Sequence, residues 1–183
     1  NSLGTAAVAG YTAASKADQL SVLINNAMMT AISNYVAQNF GAGKKDRIRL
    51  GVRASLLQTE AFNLLMCIGI LLLRHPIVEL FLSNPTSEIY HYSDLFLTIE
   101  APFYFLLGLL AIYRTSIQSM QNGRAPFAAC MIELVMRLAA TIWLSRILGY
   151  TAVCIASPLA WFGACALLIP VYYRMMMTSA KPA

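Results

Sequence analysis

The chain holds 13 Lys and Arg and 8 Asp and Glu in 183 residues, so a charge or amide inside an apolar run is conspicuous. Glu100 stands just before Pro102, whose ring nitrogen carries no hydrogen and leaves a backbone carbonyl without its helical partner. A carboxyl, a kink and a free carbonyl then coincide, a set suited to a cation or a proton. The alternative is a neutral Glu100 hydrogen-bonded to a neighbouring helix. Glu133 and Arg137 are four apart, share a helix face and pair there, with Thr141 extending the face. A structural or gating role for that pair is favoured over direct substrate binding, because breaking a buried pair costs more than keeping it gains. Gln19, Asn26, Thr30, Ser33 and Asn34 fall within about 100° of one another at about 100° per residue, a polar stripe on one helix. The stripe is either a wall of a water-filled cavity or an interhelical hydrogen-bond seam. Glu100, Tyr104, Gly108, Ala111, Thr115, Gln118 and Asn122 recur at spacings of three or four, a second face of small and polar residues.

The elements that must position these residues are set by composition. The hydrophobic set makes up 58% of the chain and the charged set 11%, against about a quarter charged in soluble domains. Such a chain has too little polar surface to stay disordered. Its charges are also bunched: six fall between Lys44 and Arg53 and none between residues 20 and 43. Apolar stretches recur at the length of about 20 residues that crosses a bilayer core. An all-α, polytopic membrane helix bundle is expected, and no linker divides it into domains.

Charges, Gly and Pro mark five helical stretches, at about 12–40, 48–73, 87–121, 125–148 and 151–173. Gly41-Ala42-Gly43 closes the first. The second ends before Arg74-His75-Pro76, a short amphipathic piece covers Ile77 to Leu82, and a turn follows at Ser83-Asn84-Pro85. Pro102 predicts a kink in the third. The fourth stops at Gly149, and the fifth contains Pro158 and Pro170. If the loop after the first helix is cytoplasmic, Lys44, Lys45, Arg47, Arg49, Arg53, Arg114, Arg124, Arg174 and Lys181 lie inside and Lys16, Arg74 and Arg146 outside, as the positive-inside rule favours. Five spans follow from this, with the N-terminus outside and the C-terminus inside.

The remaining polar groups carry weaker signals. Asp18 and Lys16 suit a surface pair at the outer end of the first helix. Glu60, with Gln58, Thr59 and Asn63 nearby and Arg53 two turns away, suits a carboxylate held by its neighbours. The basic loop sets topology and contacts anionic lipid, so no nucleic-acid partner is expected. His75 and His91 lack ligand-spaced partners, and Cys67, Cys130, Cys154 and Cys165 sit in apolar runs as small buried hydrophobes. No metal or disulfide is expected. Trp143, Trp161, Tyr172 and Tyr173 mark interfaces. No triad, GxSxG, HExxH or phosphate loop occurs, so no enzyme is expected.

The run Ala13 to Gln19, followed by Val36-Ala37-Gln38-Asn39-Phe40-Gly41-Ala42-Gly43-Lys44-Lys45-Asp46-Arg47, resembles the signature of the multidrug and toxic compound extrusion transporters. In that family a polar helix ends in a Q-N-x-G-A-G loop with basic residues after it. Gln121-Asn122-Gly123, Glu133 to Arg137, Gly149-Tyr150 and Ala156 to Trp161 are similar to the C-terminal region of bacterial members. The resemblance implies twelve helices in two six-helix lobes. This chain would supply five of the C-terminal six, and the N-terminal lobe of the same protein would be a missing partner. It implies a cation-coupled antiporter in the bacterial inner membrane, exporting small organic, often cationic, compounds for Na⁺ or H⁺ by alternating access, with no bound cofactor. The pathway residues would be Glu100, Tyr104, Asn26, Thr30, Asn34, Gln38, Glu133 and Arg137. Some members place an acidic residue in the middle of the third helix; Gly108 to Thr115 has none, and Glu100 lies higher. The alternatives are a lipid-linked oligosaccharide flippase of the same superfamily, which usually has a more cationic cavity, and a non-transporting membrane scaffold.

Overall fold

The computed structural model describes residues 4–82 and 84–177; Ser83 of the expected turn and Lys181 of the basic tail lie outside them. The described residues form helices and connecting turns, with no strand. The elements are α1 (Gly4–Gly41), α2 (Lys45–Phe81), α3 (Ser87–Glu100), α4 (Tyr104–Ser119), α5 (Arg124–Ala139), α6 (Ser145–Leu148) and α7 (Tyr150–Met177). They make five rods, because a 3₁₀ turn over Ala101–Phe103 joins α3 to α4 and a π-helical stretch over Ala140–Leu144 joins α5 to α6.

Local chemistry explains most boundaries. Gly43 takes φ +68°, and the Lys44 amide donates to the Asn39 carbonyl at 2.9 Å, which satisfies an orphan carbonyl at the end of α1. Thr86 caps α3, its hydroxyl accepting from the Ile89 amide at 3.4 Å. Pro102 produces the expected break as the tight turn between α3 and α4. The second helix differs from expectation: α2 runs unbroken through Pro76 to Phe81. Contacts to α3 flank that proline, since Asp94 accepts a hydrogen bond from His75 Nε2 at 2.9 Å and lies 3.6 Å from Arg74 Nε. Pro158 and Pro170 likewise sit within a continuous α7.

Four rods, Lys45–Phe81, Ser87–Ser119, Arg124–Leu148 and Tyr150–Met177, are long and apolar enough to cross a membrane. Five spans were expected, and α1, with 38 residues, has the length but dilutes its apolar content with a polar stripe. The rods differ in depth. In the most apolar stretches of α2 and α5–α6 11% of residues are buried, against 56% in α3–α4 and 50% in α7. The α3–α4 and α7 rods therefore form the centre, and α2 and α5 present Leu57, Leu64, Leu65, Leu72, Leu134 and Val135 outward.

Close packing in this bundle depends on small residues. The inward face of α1 is Ala7, Gly10, Ala14, Ala17, Ser21 and Asn25, continued by Ile32 and Val36. A Cβ on Gly10 would meet the Ile89 carbonyl at 2.8 Å, so the glycine lets α1 approach α3 closely. Trp161 and Tyr172 are buried against the other helices, while Trp143 and Tyr173 are exposed. Cys154 and Cys165 are buried as expected, Cys67 is half-buried and Cys130 is exposed. At the basic-loop end, Lys45 Nζ donates to the Met175 carbonyl at 3.2 Å and Arg49 Nη2 to the Met176 carbonyl at 2.9 Å, cations closing the C-terminus of α7.

Candidate functional site

The chemistry-bearing residues fall into three places, and the first is at the α3–α4 break. Glu100, 2% exposed, ends α3, and Tyr104, 1% exposed, begins α4 one turn later. Asp18 of α1, Arg137 of α5 and the Ser157 hydroxyl of α7 are the charged and polar neighbours of the Glu100 carboxyl. Asp18 was expected in a surface pair with Lys16. It instead turns inward beside Tyr104, because residues two apart on a helix point to different sides. The Tyr104 hydroxyl lies toward Asp18 and the Ser157 hydroxyl toward Glu100, but Asp18 Oδ1, Glu100 Oε2 and the Tyr104 hydroxyl are buried with no hydrogen bond of ordinary geometry among the described residues. The rings of Tyr11 and Phe96, 5.1 Å apart, and of Tyr92 and Tyr150, 4.8 Å apart, meet edge to face, linking the ends of α1, α3 and α7.

The second place is a polar seam between α1, α2 and α4. Asn25 Nδ2 donates to Asn63 Oδ1 at 3.1 Å and to the Ser21 carbonyl at 2.8 Å. Asn63 Nδ2 donates to the Tyr104 carbonyl at 3.0 Å. Gly108 of α4 lies against Thr59, Glu60 and Asn63, and a Cβ there would collide with the last two. This seam is built from Asn25 and Ser21, which the sequence reading did not name, and not from the stripe for which a seam was one of two expectations. The repeat of Ala7, Gly10, Ala14, Ala17, Ser21 at spacings of three or four was the signal that marks this face. Glu60 was expected to be held by its neighbours, and Asn63 does stand beside its carboxyl, although no hydrogen bond of ordinary geometry reaches either buried oxygen among the described residues. Arg53, seven residues away, is exposed.

The third place is open. Gln19, Asn26, Thr30, Asn34 and Gln38 are all exposed, because the small-residue face of α1 packs inward and the stripe is left on its far side. An inward orientation of this stripe was expected and is not found. Thr30 Oγ1 donates to its own helix at the Asn26 carbonyl, 3.0 Å away, as hydroxyls on an unpartnered face do. Alongside it Thr115, Gln118 and Ser119 of α4 complete an open groove of about 460 Å³ with Thr30, Ser33 and Asn34. Ser33 Oγ and Ser119 Oγ, 3.0 Å apart, tie the two walls.

The charge pair in α5 is also rearranged. Glu133 accepts from Arg114 of α4, between helices, and not from Arg137. Arg114 is therefore a mid-helix cation that locks α4 to α5, where a position in the basic loops was expected. Its place within α4, ten residues after the helix begins at Tyr104 and five before it ends at Ser119, was the available signal. Arg137, one turn past Glu133, is exposed, and its charge acts on Asp18 and Glu100. Among the pathway residues named from sequence, Glu100 and Tyr104 lie together at the break with the charge of the exposed Arg137 acting on Glu100 from α5, Thr30 and Asn34 line the groove, Asn26 and Gln38 flank it on the same exposed side of α1, and Glu133 stands apart from both.

A bundle with bilayer-length rods and polar groups gathered between them is the architecture of an integral membrane protein. The MatE family model matches residues 1–162, and the chain belongs to that family. It is similar to an FAD transporter of Shewanella oneidensis, 22% identical over 130 residues, which cover 71% of this chain and 28% of that protein. The matched stretch is thus under a third of the relative's length. No solved structure matches the chain.

Proposed function

We propose that the chain is most of the C-terminal lobe of a secondary active transporter in the bacterial cytoplasmic membrane, moving small organic compounds outward against Na⁺ or H⁺ by alternating access. The observation that carries this reading is the exposed stripe of α1. Gln19, Asn26, Thr30, Asn34 and Gln38 cannot face hydrocarbon without a heavy desolvation cost, and the rest of the described chain does not cover them. A water-filled cavity against a second lobe satisfies them. The Thr115, Gln118 and Ser119 side of the groove adds hydrogen-bonding groups for a cargo.

Coupling is assigned to the α3–α4 break. Glu100 and Asp18 are two carboxyls within electrostatic reach of each other and of one exposed cation, Arg137, an arrangement suited to holding a further cation. The tight turn at Ala101–Phe103 supplies irregular backbone of the kind that lines ion sites in transporters. Organic cations are the cargo class expected of the family. The FAD transport named for the relative adds an anionic flavin nucleotide, which the exposed Arg137 would attract.

The test uses full-length protein in proteoliposomes with an imposed Na⁺ or H⁺ gradient, following an organic cation dye and FAD separately. Gradient-driven movement of one of them is expected, with Glu100→Gln uncoupling it from the gradient at matched protein content. Movement of neither, or movement indifferent to both gradients, would remove the transporter reading.

A further inference from the structure

Glu60 has no part in the coupling site above, and its surroundings call for a role of their own. It lies near the middle of α2, a helix of 37 residues. Both carboxylate oxygens are shielded and no hydrogen bond of ordinary geometry reaches them among the described residues; the Asn63 amide is the polar group that stabilises the charge, and Oε1 stands against Gly108, 2.6 Å from where a Cβ would sit. The polar atoms around it are neutral. Asn63, 2% exposed, is its side-chain neighbour, and Asn25, 2% exposed, is joined to Asn63 at 3.1 Å. Thr59, 0% exposed, shares the contact with Gly108. Asn25 Oδ1 and Thr59 Oγ1 are likewise buried and unpartnered among the described residues.

Charge cannot come from the elements packed here. On α1 the facing residues are Ser21 and Asn25, and on α4 Gly108 and the Tyr104 carbonyl. On α7 the titratable side chain within reach is Cys165, an acid itself. The nearest guanidinium on α4, Arg114, is committed to Glu133. An ionised carboxylate at membrane depth with no cation beside it is strongly disfavoured, and a hard oxygen set of carboxylate, amide and hydroxyl is the chemistry that suits an alkali cation.

We propose that Glu60, with Asn25, Asn63 and Thr59, forms a second monovalent-cation site in this lobe, separate from Glu100, at which one Na⁺ or one proton neutralises the carboxylate. The site rests on the seam between α1, α2 and α4 and not on the transport reading. Binding alone therefore tests it, in full-length protein in detergent where no cargo moves.

Two measurements on wild type, Glu60→Gln, Glu60→Asp and Glu100→Gln distinguish the occupants. Thermal unfolding is followed as NaCl replaces choline chloride at constant ionic strength, and infrared difference spectra record the carbonyl stretch of protonated carboxyls. For Na⁺, the salt-specific rise in midpoint persists in Glu100→Gln and disappears in Glu60→Gln. In Glu60→Asp, which shortens the side chain by one methylene but keeps the fold, the half-maximal Na⁺ concentration rises about tenfold, as a loss of about 1.4 kcal/mol predicts. For a proton, Na⁺ has no specific effect, and a protonated-carboxyl band present in wild type and Glu100→Gln is missing from Glu60→Gln. If the Na⁺ response and the carboxyl band are both unchanged by Glu60→Gln and Glu60→Asp, or both vanish only in Glu100→Gln, the proposal is overturned.

Discussion

The two sides of α1 carry similar residues and do opposite things. On the inward side Ser21 and Asn25 are buried, and Asn25 is bonded across to Asn63, so its amide helps join three helices. On the outward side Asn26, Thr30, Asn34 and Gln38 are exposed, and the Thr30 hydroxyl bonds only to its own helix. Asn25 and Asn26 are adjacent in sequence, about 100° apart around the helix, and that angle separates an amide bonded into the bundle from one left exposed. The lesson is that amide content identifies a membrane helix with a purpose, while the packing of its small residues decides which amides serve the fold.

If this division holds, substitutions on buried polar groups cost stability and those on the open face cost transport. The largest effect is expected at the α4–α5 lock. Arg114→Ala leaves Glu133 as an uncompensated charge, at a cost of about 3–5 kcal/mol, read as a lowered unfolding midpoint of the full-length protein in detergent. Arg114→Leu with Glu133→Leu should recover most of it. A single variant as stable as wild type would break the contrast at its strongest point. Next, Gly108→Val pushes a side chain into Glu60 and Asn63 and is expected to cost about 1–3 kcal/mol, while Gly69→Val, where a Cβ meets nothing within 4 Å, costs less by the same assay.

The smallest and sharpest pair is Asn25→Ala against Asn26→Ala. Asn25→Ala strands Asn63 Oδ1 and should lower stability by about 1–3 kcal/mol. Asn26→Ala should stay within about 0.5 kcal/mol of wild type, and its effect, if the face is functional, appears in the rate of gradient-driven transport. Equal melting shifts for the two would mean that the faces are not distinct.

Much of this architecture was legible in the residues. Bilayer-length apolar runs and the bunching of charge at Lys44 to Arg53 gave the helical membrane bundle, and Pro102 gave the break beside Glu100. The face of α4 with Tyr104, Gly108, Ala111 and Thr115 was readable because small residues at spacings of three or four signal close helix contact. What escaped depends on partners from other helices. Glu133 has two candidate cations, and spacing along α5 favours Arg137, yet the approach of α4 brings Arg114 to it. Pro76 looks like a helix end, but a hydrogen bond of His75 and an ion pair of Arg74, both to Asp94, join α2 to α3 beside it. The direction of the α1 stripe needed the opposite face, whose Ala and Gly residues carry no charge to draw attention.

The central claim is that the outward stripe of α1 borders water within the membrane. Its most direct measurement is cysteine labelling in full-length protein in membranes, in a background with Cys67, Cys130, Cys154 and Cys165 replaced by Ser or Ala. Asn26→Cys, Thr30→Cys and Asn34→Cys should react quickly with a membrane-impermeant maleimide, and transported compound should slow them. Asn25→Cys, on the packed side, and Leu65→Cys, on the outward apolar face of α2, should react slowly. Labelling of the three stripe positions no faster than Leu65→Cys would place the stripe in lipid or in a dry contact and contradict the account.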